Sequence, residues 1–336
     1  YNDGPLLIIA GAGAGKTKTL TTKIAYLIEE GLAAPYNILA ITFTNKAAKE
    51  MRDRLYLLIG DEARKLQVST FHSFGLKILR ENYELLGYDR NFVIMDSDDS
   101  LTVVKKIIKD LNYDPKIYNP KAIRNKISSC KNELISAHDY ERYAVSDYEQ
   151  VIQKVYEKYE HKLKTNNSVD FDDLLILPIK LFKEHIDVLE KYQDLYKYVL
   201  IDEYQDTNEA QYILTKMISE KNRKITCVGD DSQSIYSFRG ANYKNILNFE
   251  KDYKDAKTIL LEQNYRSTGN ILDAANQVIK NNRDRKDKSL WTNKGPGDKI
   301  KYYRAYNERD EAQYIIRKIK ELVNRDVEYK DIAILY

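Results

Sequence analysis

Short apolar runs alternate with segments of helical periodicity over the first 86 residues. Leu6–Ala10 reads as a strand, and Lys16–Glu30 as a helix stopped at Gly31. Asn37–Phe43 is a second strand, followed by a helix from Asn45 to Ile59. Gln67–Thr70 is a short strand before a helix running to Leu86. Wholly apolar strands that alternate with helices predict a parallel sheet covered on both faces. From Gly87 to Asn167 the pattern turns to charged amphipathic helices, such as Ser100–Leu111 and Asp147–Lys164, with a strand signal only at Phe92–Met95. That stretch reads as an all-helical insertion between two halves of the sheet domain. Alternation resumes with strands at Tyr198–Asp202, Lys224–Gly229 and Thr258–Leu261. A helix at Asn270–Asn281 and a polar linker at Asp284–Asp298 follow. A strand at Lys299–Arg304, a helix at Glu308–Asn324 and a strand at Asp331–Tyr336 open a second α/β domain.

Composition narrows this picture only slightly. The 336 residues are 43% hydrophobic and 31% charged, as in soluble globular proteins of two or three domains. No apolar run approaches a membrane span, and no signal peptide is visible. Cys130 and Cys227 lack metal-type spacing, so an intracellular, cytoplasmic, disulfide-free protein is expected. A net charge of +3 neither supports nor excludes nucleic acid, because a basic groove can coexist with a balanced total. The 28 tyrosines are read as compositional bias. The chain opens at Tyr1 without an initiator Met and closes on what reads as a buried strand, so a longer parent protein is expected.

The candidate chemistry starts between the first strand and the first helix. Ala10-Gly11-Ala12-Gly13-Ala14-Gly15-Lys16-Thr17 has the form of a phosphate-binding loop, with Ala10 where the strict pattern has Gly. Loop N–H groups and the helix N-terminus would wrap phosphates, Lys16 would reach the β- and γ-phosphates, and Thr17 would hold Mg²⁺. The partner expected at the end of a neighbouring strand is Asp202-Glu203, with Asp202 on Mg²⁺ and Glu203 as general base. After the next strand, Gln233 is placed to meet a γ-phosphate or its attacking water. Beyond it Tyr236, Phe238 and Arg239 interleave aromatics with a cation, as single-stranded nucleic acid requires. Taken alone, that stretch reads as an amphipathic turn with its aromatics in the core. Phe43 with its following hydroxyls, and Thr70-Phe71-His72, have the same strand-end form. Nothing near His72 suggests a metal site. Tyr265-Arg266 offers an aromatic for adenine and a guanidinium for the γ-phosphate.

AGAGAGKT, ITFTNKAAKEM, STFHSF, VLIDEYQDTN, VGDDSQSIYSFRGA and LEQNYRST stand in the order found in the UvrD/Rep/PcrA family of superfamily 1A DNA helicases. The chain resembles that family from residue 5 to 268 and more weakly to its end. The resemblance implies RecA-like P-loop NTPase motor domains with ATP and Mg²⁺ bound between them. Residues 1–86 and 170–258 would form the first motor, 87–169 its helical accessory domain, and 259–336 the start of a second. It also implies roles for individual residues. Lys16, Glu203, Gln233 and Arg266 would be catalytic. Residues Ala10 to Lys18 with Tyr265 and Arg266 would bind nucleotide, and Thr17 and Asp202 would bind metal. Phe43, Thr70, Phe71, His72, Tyr236, Phe238 and Arg239 would line a single-strand path.

The family's adenine-reading glutamine motif and the two later motifs of the second motor are not found. The expectation is therefore that this chain alone binds nucleotide weakly, hydrolyses it poorly and does not unwind duplex. A parent of this kind would be a DNA-stimulated ATPase that moves 3′ to 5′ on single-stranded DNA and at duplex junctions. It would work with repair or replication proteins, away from membranes. The alternatives are a remodeller that strips proteins from DNA, a helicase subunit of a recombination helicase–nuclease, and a P-loop kinase acting on a small molecule.

Overall fold

Strand β1 (Leu6–Ala10) pairs in parallel on both edges and is covered by helices on both faces, and all its residues are buried and apolar. The computed structural model describes residues 1–235, 240–242, 244–282 and 286–336. After β1 come α1 (Lys16–Glu29), β2 (Ile38–Thr42), α2 (Asn45–Ile59), β3 (Gln67–Thr70) and α3 (Phe71–Asn82), at nearly the predicted positions. The insertion comprises β4 (Val93–Ile94), α4 (Ser97–Asp110), α5 (Pro120–Asn132), α6 (Asp147–Thr165) and β5 (Ser168–Val169). The chain then forms α7 (Asp173–Glu184), α8 (Ile186–Leu195), β6 (Tyr198–Ile201), α9 (Glu209–Ser219) and β7 (Ile225–Gly229). Last come α10 (Lys244–Asp252), β8 (Lys257–Leu261), α11 (Gly269–Ile279) and α12 (Glu308–Val323).

Among the described residues the main sheet has six strands, all parallel, in the order β3-β2-β6-β7-β1-β8. Its two faces are separate cores. Leu6, Ile8 and Ala10 pack with Leu20, Ile24, Met51 and Leu55 beneath α1 and α2. Leu7 and Ile9 point the other way, onto Phe74, Ile179, Phe182, Leu214 and Phe249 of α3, α7, α9 and α10. The boundary expected at 258/259 falls inside β8, which pairs with β1 along its whole length. Helices α7 and α8, which the apolar pattern did not single out, supply much of the second core.

The insertion has its own core of Val104, Ile107, Ile123, Ile127, Val155 and Tyr156. Capping boxes at Asp96/Asp99 and Ser146/Glu149 start α4 and α6, the first of them three residues ahead of the expected Ser100. The insertion is not wholly helical. Where it leaves and rejoins the sheet domain, β4 and β5 pair in parallel, Val93 with Ser168 and Ile94 with Val169. Lys131 of α5, only 2% exposed, anchors the same junction. Its Nζ lies 2.8 Å from both Asp170 Oδ2 and Asp173 Oδ1 and 2.6 Å from Glu160 Oε1. Burial pulls the ammonium pKa down, but the three carboxylates outweigh it and hold Lys131 charged.

Two predicted strands are not formed. Residues 299–304 and 332–336 carry no strand pairing, α12 buries none of its residues, and Leu335 is 95% exposed. An apolar run becomes a strand only where another backbone can hydrogen-bond to it. The fragment expectation that rested on a buried last strand loses that support.

Candidate nucleotide site and single-strand groove

Because the sheet is parallel, the C-terminal ends of β1, β6 and β7 open on one edge, and the expected motifs meet there. Gly11–Gly15 form the loop between β1 and α1, with Gly13 and Gly15 at φ of 72° and 90°, a conformation that favours glycine. Ala10 does not need to be glycine. As the last residue of β1 its methyl packs in the core beneath α1. Gly11 and Gly13 are constrained by neighbours instead. A Cβ on Gly11 would lie 2.2 Å from Leu290 Cδ2, and one on Gly13 2.8 Å from Arg266 Cβ.

Lys16 and Thr17 open α1 and face the doublet after β6. Lys16 Nζ is 2.5 Å from Glu203 Oε2, and Thr17 Oγ1 donates to Asp202 Oδ2 over 3.4 Å. Burial, and then the adjacent Glu203 carboxylate, push the Asp202 carboxyl up to about 6. A divalent cation would relieve that cost, so the pair Thr17 and Asp202 fits Mg²⁺. Among the described residues no cluster of three or more His, Cys, Asp or Glu could hold a metal, and Mg²⁺ usually completes its octahedron with phosphates and water. Glu203 has φ 49° and ψ 46°, a strained left-handed conformation for a non-glycine residue that turns its carboxylate toward Lys16.

Gln233 follows β7, which lies between β6 and β1. Its Nε2 donates to Asp230 Oδ2 at 2.5 Å, while Lys288 Nζ reaches Asp230 Oδ1 at 2.7 Å. The segment after β8 folds over the loop. Asn264 Nδ2 donates to the carbonyl of Ala12 at 2.5 Å, and Tyr265 N to that of Gly13 at 3.0 Å. Tyr265 is 62% exposed and lines, with Lys18, Ala14 and Tyr26, a cavity of about 860 Å³ beside the loop. Arg266 is exposed, and its guanidinium has no hydrogen bond or ion pair among the described residues.

A second cleft, of about 640 Å³, runs between the sheet domain and the insertion. It is lined by Phe43, Thr70, Phe71 and His72, together with Phe171 and Asp206. Phe71 is a correction. At 2% exposure it belongs to the core with Leu7 and Phe74, leaving no open face for a base. Thr70 caps α3, its Oγ1 accepting from Ser73 N at 3.2 Å. His72 stacks on Phe171 with ring centroids 4.3 Å apart, and burial lowers its pKa to about 4, so it is neutral at pH 7. Tyr236, Phe238 and Arg239 lie outside the described residues.

Sequence reasoning passed over Phe171, Gln205, Asn264 and Lys288. Phe171 carried a signal, as an aromatic in a polar turn of the kind that singled out Phe43. The others are polar residues each of which also meets a partner far away in the chain: Gln205 meets Asp230, Asn264 meets Ala12, and Lys288 meets Asp230.

A parallel sheet with a phosphate loop after one strand and an acidic doublet after another defines a RecA-like P-loop nucleotide-binding fold. Residues 1–254 match the UvrD/REP helicase N-terminal domain, and residues 259–336 match the UvrD-like helicase C-terminal domain. The chain belongs to the UvrD/Rep helicase family. It is 50% identical over 334 residues to the ATP-dependent DNA helicase PcrA of Staphylococcus aureus strain Mu50, which covers 99% of this chain and 46% of that protein. The PcrA of Staphylococcus epidermidis strain ATCC 12228 matches with the same identity and coverage. The chain thus spans about half the length of the relatives it matches.

Proposed function

We propose that this chain belongs to an ATP-dependent DNA helicase that moves 3′ to 5′ along single-stranded DNA in repair or replication. The observation that carries it is the approach of Lys16 to Glu203 and of Thr17 to Asp202, four residues that assemble one nucleotide site. Residues 1–86 and 170 through the end of β8 form the first motor domain, 87–169 its accessory domain, and the residues after β8 contribute to the second.

Lys16 and the loop N–H groups bind and orient the β- and γ-phosphates, and Gln233 and Arg266 contact the γ-phosphate from either side. Glu203 accepts the proton of the attacking water. Tyr265 stacks on the base. When bound by Thr17 and Asp202, Mg²⁺ supplies charge neutralisation at the phosphates. Phe43, His72, Tyr236, Phe238 and Arg239 grip the strand, His72 through its stack on Phe171 rather than by charge.

ATP hydrolysis by the full-length parent, measured with and without single-stranded DNA, tests this reading. Strong stimulation by DNA supports a motor, and none points to the kinase alternative. Strand displacement on a tailed duplex then separates a helicase from a protein-stripping remodeller.

A further inference from the structure

We propose that Gln205 is a positioning residue that couples occupancy of the single-strand groove to Glu203 in the nucleotide site, an inference that rests on the function proposed above. The Gln205 side chain is 1% exposed and lies between the two clefts. Its Nε2 donates to Glu203 Oε2 at 2.9 Å and to Asp206 Oδ2 at 3.1 Å. Its Oε1 accepts from Asp230 N at 2.9 Å. Both amide N–H groups and the carbonyl are therefore committed, each to a different functional element. A Cβ on Gly229 would come within 2.7 Å of Gln205 Oε1, so the strand end is glycine where the amide lies against it.

The two carboxylates at its ends face different ligands. Glu203 Oε2 receives Gln205 and Lys16 on the same oxygen, so the position of this base is set jointly by the phosphate-loop lysine and the glutamine. Asp206 is 7% exposed and lines the single-strand groove beside Phe43, Thr70 and His72. Among the described residues its buried Oδ1 has no hydrogen-bond partner, an acceptor without a donor. The exocyclic amino group of a base in the groove supplies such a donor. Pulling Asp206 toward it draws on the amide shared with Glu203. On its third side the amide holds Asp230, whose carboxylate carries Gln233. A filled groove thus shifts the base and the phosphate-contacting glutamine through one buried side chain.

The test is thermodynamic and uses the 336-residue chain. The affinity for a fluorescent mixed-sequence oligodeoxynucleotide is measured with and without Mg²⁺ and β,γ-imido-ATP, in wild type and in Gln205→Met. A coupled wild type changes its DNA affinity by about 5-fold or more on binding the analogue, and Q205M brings that ratio to within about 2-fold of one while still binding each ligand. Asp206→Asn, which keeps the amide in place but removes the carboxylate, abolishes the ratio too and serves if Q205M does not fold. Wild-type coupling retained in the folded variants, or a wild type that binds both ligands without coupling, overturns the relay. A wild type that binds neither ligand overturns the relay, and a longer parent that binds neither overturns the proposed function itself.

Discussion

Lys16 Nζ and Glu203 Oε2 lie 2.5 Å apart although 187 residues separate them in the chain. The two side chains neutralise each other. On the proposed function a γ-phosphate would compete for Lys16, and that exchange would free Glu203 to accept a proton.

Glu203→Gln removes the base but keeps a hydrogen-bonding partner for Lys16 and Gln205. Nucleotide binding is expected to persist or tighten, while hydrolysis falls by about 10²–10⁴-fold. Equilibrium titration with a fluorescent ATP analogue and a phosphate-release assay measure the two effects. Equal loss of both would show that Glu203 only holds the loop.

Asp202 holds its proton more tightly folded than unfolded, with a pKa of about 6 against the usual 3.8. Its ionisation therefore costs stability as pH rises through that window, and the whole penalty applies above about 6. Asp202→Asn lacks it, so without Mg²⁺ the variant is expected to be more stable at pH 7.5 by up to about 3 kcal/mol. That advantage shrinks as pH falls below about 6 and vanishes only below 3.8, where the unfolded carboxyl is protonated as well. Urea titrations of both proteins across the pH series check the sign. Added Mg²⁺ and nucleotide should protect the wild type alone.

Lys131→Met leaves Asp170, Asp173 and Glu160 without their shared cation at the base of the insertion. The expected loss is about 3–5 kcal/mol, because unpaired buried carboxylates remain. Urea unfolding followed by far-UV circular dichroism reads it. A change under 1 kcal/mol would mean that the carboxylates protonate at little cost.

Phe171→Ala removes the exposed partner of the His72 stack. Single-stranded DNA binding is expected to weaken by about 1–3 kcal/mol, with ATP-analogue binding unchanged. Fluorescence anisotropy with a labelled oligonucleotide measures the first, and the analogue titration the second. Unaltered DNA affinity would mark the cleft wall as packing alone.

Periodicity and local chemistry determined the six strands of the main sheet, most helices apart from α7 and α8, and the motif residues at strand ends. These are properties of adjacent residues, set by backbone sterics and side-chain spacing. Tertiary structure decided which strands are neighbours, since β6 and β7 enter between β2 and β1 from the far side of the insertion. That crossover brings Asp202 and Glu203 to Thr17 and Lys16. It also buried Phe71, stacked His72 on Phe171, wedged Gln205 between two carboxylates, and left residues 299–304 and 332–336 without a strand to pair with. Such outcomes depend on contacts between distant segments, which a one-dimensional pattern does not encode residue by residue.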